Sequence, residues 1–273
     1  MGITFACIAP HGTEIIPQLA GEKLKDFAKT RHAMEKMATL MKKQKVETIV
    51  IATPHNLRLE NSIGVVTSEY AQGTLQNSCG AVTVRFKCDR ILAHKILHSA
   101  KKAQLPVTGV NYGTNEGENS CMPMDWGTII PLWFLGYCNS EKPQIVTVTP
   151  SREIPLENLV KFGSIIAKVA ENSNKKVAFV ASADQGHAHN PKGPYGFNPA
   201  SAKYDRLVQK AVKENNLKPL LKLDNKFIDE AKPDSLWQIA ILIGVLDVVP
   251  MKGQLMSYEA PTYYGMLCAA YLP

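Results

Sequence analysis

The chain has 273 residues, 45% hydrophobic and 20% charged, with 31 Lys and Arg against 24 Asp and Glu for a formal charge of +7. That length supplies a sizeable core, and the balance excludes a disordered chain or a disulfide-stapled mini-protein. The basic excess is spread out, densest between Lys23 and Lys45, and no nucleic-acid motif accompanies it, so no nucleic-acid partner is expected. Short β-rich apolar runs alternate with longer stretches of helical period, the pattern of an α/β protein with a largely buried sheet. In chain order the pattern predicts a strand over 4–9, a helix over 21–44, and strands over 48–53, 64–67 and 81–86. A helix over 91–103, a strand over 107–110, a helix over 126–135 and a strand over 144–149 follow. The remainder reads as helix 156–171, strand 177–182, helices 200–215, 226–232 and 235–246, and a last strand over 254–260. With no repeat and no linker-like change of composition, residues 1–273 are expected to form one domain.

The longest apolar runs, 129–138 and 239–246, fall short of the roughly 18 residues a bilayer span needs, so no membrane association is expected. The opening MGITFACIAP has no basic region or cleavage site, and Ala6 breaks a myristoylation pattern, which points to a cytoplasmic protein. Cys7, Cys79, Cys88, Cys121, Cys138 and Cys268 form no C-x-x-C pair and fit reduced thiols.

Walker A, G-x-G-x-x-G, G-x-S-x-G and H-E-x-x-H motifs are absent, and the chemistry rests on histidines. His32, His94 and His98 fall on predicted helices and read as solvated or core-edge histidines without chemistry. His11 in APHGTEIIP and His55 in TPHN each follow a predicted strand through a proline. Ligands of open α/β sheets bind outside the carboxyl ends of strands, so the two imidazoles are expected to share one crevice. His187 and His189 form H-x-H in the long loop after 177–182. Glu259 is the one charge in the apolar stretch QLMSYEAPTYYG, which suits a metal ligand, a general base or a partner of a buried cation. Two imidazoles and a carboxylate match the facial triad of Fe(II) enzymes; all four imidazoles with the carboxylate suit a zinc hydrolase, and spacing alone leaves both open.

Five segments taken in order, APHGTEIIP, TPHN with TSEYAQGT, the D-x-G-T-I-I-P-L segment at Asp125, SADQGHAHNPKGPYGF and YEAPTYYG, resemble the class III extradiol ring-cleavage dioxygenases of the LigB-like superfamily. The resemblance covers nearly the whole chain. It implies a three-layer αβα fold with a mixed central sheet, and a non-haem Fe(II) dioxygenase acting on a catechol or 2-aminophenol and O2, with Mn(II) or Zn(II) as alternative metals. It also implies metal ligands His11, His55 and Glu259, His187 as acid/base, and His189 beside it in the same pocket. Tyr195 becomes a pocket residue, and a homodimer or a second small subunit is the expected assembly. One departure is Trp126, which stands where many active members carry a histidine and so becomes a substrate-facing residue without a basic nitrogen. Relatives of the Memo type share the fold without established dioxygenase chemistry, so a metal-binding interaction protein is the alternative, with the zinc hydrolase a third.

Overall fold

The computed structural model describes residues 1–136 and 142–273. Cys138, and with it the end of the 129–138 apolar run, lies outside the described residues. The elements in order are β1 (Gly2–Ala9), α1 (Pro17–Ala20), α2 (Ala28–Lys43), β2 (Thr48–Ala52), β3 (Ile63–Val66), β4 (Tyr70–Asn77), β5 (Gly80–Lys87) and α3 (Arg90–Lys102). Then follow β6 (Val107–Val110), β7 (Cys121–Pro123), α4 (Trp126–Leu135), β8 (Gln144–Thr149), α5 (Leu156–Glu171), β9 (Lys176–Ser182), α6 (Pro199–Lys213), α7 (Asn225–Ala231), α8 (Leu236–Val248), β10 (Lys252–Glu259) and β11 (Met266–Leu272).

Eight strands form one mixed sheet in the order β10-β11-β1-β9-β2-β8-β3-β6. Its centre, β1-β9-β2-β8, is parallel; β11 joins β1, and β3 joins β8, antiparallel. Side chains alternate across the sheet, so the core divides into two halves. Phe5, Cys7 and Ala9 of β1 pack with α2 and α4, whereas Ala6 and Ile8 pack with α5, α6 and α8. Ile3 escapes that alternation because the pairing of β1 with β9 skips Thr4, a bulge that turns the strand over. The result is the αβα arrangement, with a small sheet, β5-β4-β7, added to the α2/α4 side.

The differences from the predicted elements have local causes. The helix expected over 21–44 breaks into a 3₁₀ turn, Gly21–Leu24, and α2, because the Phe27 ring is fully buried at a non-helical backbone position between them. β4 escapes the sequence pattern because YAQGTLQN is polar and carries a glycine, and β11 because MLCAAYL is made of good helix formers. β11 is a strand because tertiary pairing on both edges, to β10 and β1, overrides propensity.

α8 is apolar on nearly every side and is buried against the sheet and α5. Gly163 and Gly244 let the two helices touch backbone to backbone: a Cβ at Gly163 would overlap Ile241 O, and one at Gly244 would overlap Val160 O. Gly244→Ala is therefore expected to destabilise the fold by about 1–3 kcal/mol or more, although alanine is the better helix former. A thermal melt is the check, and an unchanged Tm would show that α5 and α8 are not so tightly packed.

Candidate metal centre

β1, β9 and β2 are adjacent and parallel, so their carboxyl ends share one edge of the sheet. Neighbouring strands lie about 4.8 Å apart, which puts β1 and β2 about 9.6 Å apart with β9 between them. His11 and His55, two and three residues past their strands, span that gap by leaning over the end of β9. Their Nε2 atoms come within 3.1 Å with ring planes at 88°. Asp184, two residues past β9, accepts the His11 backbone N–H at 3.1 Å and sets Oδ2 at 3.3 Å from His11 Nε2. Asp234, just before α8, completes the set. Its Oδ2 lies 3.2 Å from His11 Nε2 and 3.4 Å from His55 Nε2, while its Oδ1 accepts the Asp184 N–H at 2.9 Å.

His11 Nε2, His55 Nε2 and an Asp234 oxygen thus converge on one point, an arrangement able to hold a divalent cation. The surrounding hydrogen bonds support that fit. Ser182 Oγ donates to Gly127 O, so at the 3.0 Å contact with His11 Nδ1 it accepts, and the His11 Nδ1 proton is accounted for. His11 Nε2 then faces another imidazole nitrogen and a carboxylate oxygen, a donor set that suits a divalent cation. Burial alone would depress the His11 imidazole, yet Asp184 and Asp234 outweigh it and raise its pKa to about 9. Burial likewise opposes the charge on Asp234, but the imidazoles of His11, His55 and His187 hold it well below the usual carboxylate range.

The cluster lies at the base of an open cleft of about 800 Å³. On one wall His187 donates from Nδ1 to Gln185 O at 2.8 Å, which leaves Nε2 without a proton in the neutral ring, 3.8 Å from Asp234 Oδ2. Its ring stacks on Tyr264 at 5.6 Å, with Tyr195 edge-on at 5.9 Å. On the other wall the Trp126 indole lies 4.2 Å from the His55 ring and stays 45% exposed. Asp125 holds that wall by capping α4, accepting from Thr128 N at 2.9 Å and from Thr53 Oγ1 at 3.0 Å.

A family model described as the catalytic LigB subunit of aromatic ring-opening dioxygenase matches residues 5–267. The chain belongs to the LigB family. A Clostridium acetobutylicum protein, CA_C1420, is 26% identical over 253 residues, covering 92% of this chain. The chain spans 54% of that relative's length. The crystal structure of an uncharacterized Escherichia coli K12 protein, JW3007, superposes with a TM-score of 0.60 at 15% identity, covering 98% of this chain and 99% of the other, a likeness of fold.

Within this LigB chain two of the expected site residues stand elsewhere. Glu259 does not join the His11, His55 and Asp234 cluster. It ends β10, two strands away from β1, and its carboxylate accepts the Thr30 N–H at 2.8 Å, in the first turn of α2. The partner of this charge is the positive end of a helix, an option that the apolar stretch around it did not suggest. Glu259→Gln is expected to cost about 1 kcal/mol through the weakened cap, measured by urea denaturation. His189 is likewise absent from the cleft. The loop turns its ring away from His187, and its Nε2 bonds Asp205 Oδ2 at 2.8 Å, an oxygen that Tyr258 also holds, at 2.6 Å. It pins the loop to β10 and α6. Tyr195 and Trp126 both line the cleft, and His32, His94 and His98 are exposed on helices.

Asp234 was missed because K-P-D-S before an apolar run reads as a helix cap. The available signal was a doubled cap: Asp-Ser offers two capping side chains where a helix uses one. Ser235 holds the N-cap position without a capping bond, and Asp234 points into the cluster instead. Among the described residues no cysteine is disulfide-bonded, and no helix is long and apolar enough to cross a membrane.

Proposed function

We propose that this LigB-family chain is an Fe(II)-dependent extradiol dioxygenase that opens a catechol or 2-aminophenol ring, with His11, His55 and Asp234 as the metal ligands. The observation that carries the reading is the convergence of two imidazole nitrogens and one carboxylate at the base of a cleft walled by aromatic rings. Bound iron would supply a Lewis acid that acidifies the substrate hydroxyl and a redox centre for O2.

The chain's own residues do the rest. Protein donors come from the sheet edge and the loop before α8, so the cleft side is left for substrate. His187, with Nδ1 committed to Gln185 O, presents Nε2 to the cleft as the acceptor for a hydroxyl proton and returns that proton later. Trp126 and the Tyr195, Tyr263 and Tyr264 rings supply flat faces for an aromatic ring and shed water from it. The indole has a single donor and no acceptor, so proton transfer falls to His187 alone.

Metal content after purification, followed by oxygen uptake of the Fe(II)-loaded protein with a panel of catechols and 2-aminophenols, tests the reading. Uptake with ring-cleaved product is expected. Metal without turnover on any member would favour a Memo-like metal-binding protein, the reading to which Trp126 itself lends weight. Trp126→His is expected to raise oxygen uptake by about tenfold or more, by adding a second proton-transfer group. An unchanged rate with iron bound would show that the indole does not limit the reaction.

A further inference from the structure

The cleft is much larger than a single ring. A cavity of about 150 Å³ already encloses benzene, whereas this cleft measures about 800 Å³ and runs from the metal cluster to the turn between β4 and β5. Its two ends differ in chemistry. Around the cluster the wall is aromatic, with Tyr263 and Tyr264 edge to face at 4.9 Å. The far end is polar, made by Glu22 and Lys23 on one side and Ser78 and Cys79 on the other. We propose that the substrate is an aromatic head group carried on a polar, uncharged or cationic tail, and that the 21–23 and 77–79 segments form the subsite for that tail. The identity of the head group rests on the ring-cleavage reading; the tail subsite rests on the cleft.

The far end is built and held in shape. Asn77 Nδ2 donates to Leu19 O at 2.9 Å, and Asn77 Oδ1 accepts the Cys79 N–H at 2.9 Å, so the turn is fastened to α1. Gly21 takes φ +54°, and a Cβ there would come within 2.6 Å of Cys79 Sγ. The small sheet thereby carries its turn to the rim of a cleft that the large sheet founds. Lys23 is engaged by Glu14 at 3.1 Å, which leaves the Glu22 carboxylate and the exposed Ser78 hydroxyl to meet a ligand. With Glu14 and Lys23 paired, the Glu22 carboxylate is the charge this end of the lining offers a ligand, and it suits amide or ammonium donors.

The test is calorimetric titration of the Zn(II)-loaded protein, whose redox-inert metal does not support ring cleavage, with catechol and with the tripeptide amide dihydroxyphenylalanyl-glycyl-glycinamide. The tripeptide amide is expected to bind about tenfold or more tighter than catechol. Ser78→Trp, a change at an exposed turn, and Glu22→Ala should each erode that preference while leaving catechol affinity unchanged. Equal affinities, binding of neither probe, or a preference untouched by both substitutions would overturn the proposal. The ring-cleavage reading fails separately: the preference would persist, but the Fe(II)-loaded protein would consume no oxygen with either probe.

Discussion

Asp234→Asn is expected to lower divalent-metal affinity by more than about 100-fold, beyond the range seen when only an outer partner of a ligand is changed. Asparagine keeps the shape of the side chain and an oxygen for the Asp184 N–H, so the fold is spared. What is lost is the one full negative charge that faces both imidazoles. His55→Ala should behave alike, since it removes one of the three donors that converge among the described residues. Glu259→Gln should retain full metal content, because its carboxylate serves the first turn of α2. Metal analysis and chelator competition on the three variants decide the matter. Loss of metal in Glu259→Gln, with full occupancy in Asp234→Asn, would reverse the assignment.

His187→Gln is expected to keep metal and fold and to lose about 10²–10⁴-fold in kcat, the usual contribution of a positioned acid/base. The imidazole is outside the three-donor cluster, its Nε2 3.8 Å from the Asp234 carboxylate, and its Nδ1 is fixed by a backbone carbonyl. A side-chain amide fills similar space and cannot carry the proton. If the loss fell on KM with kcat unchanged, His187 would be a binding group. If metal were lost, it would be a fourth ligand.

The strands that hold the site were legible because buried parallel strands are short apolar runs with sharp polar ends, as in TFACIA and TIVIAT. His11 and His55 were legible for the same reason: a strand end fixes where the next residues go. The third converging donor was not, because Asp234 belongs to a different layer and reaches the sheet edge through the packing of α8 on α5 and on the sheet. No periodicity within residues 225–246 encodes that approach. Glu259 illustrates the reverse case. A lone carboxylate in an apolar stretch needs compensation, and here the Thr30 backbone N–H in the first turn of a helix, 229 residues away, provides it. The same limit applies to H-x-H in a loop, where only tertiary structure decides that His187 and His189 face different partners.

The strand order β1-β9-β2 also sets when the site can exist. Both imidazoles precede β9 in the chain, yet β1 and β2 never pair with each other; β9 separates them. Until residues 176–182 thread between those strands, nothing holds the two rings at a common height, and Asp234 arrives later still. The centre is therefore among the last features to assemble, made of contacts with long sequence separation that form slowly. A chain that ends before β9 has both histidines but nothing that brings their rings together.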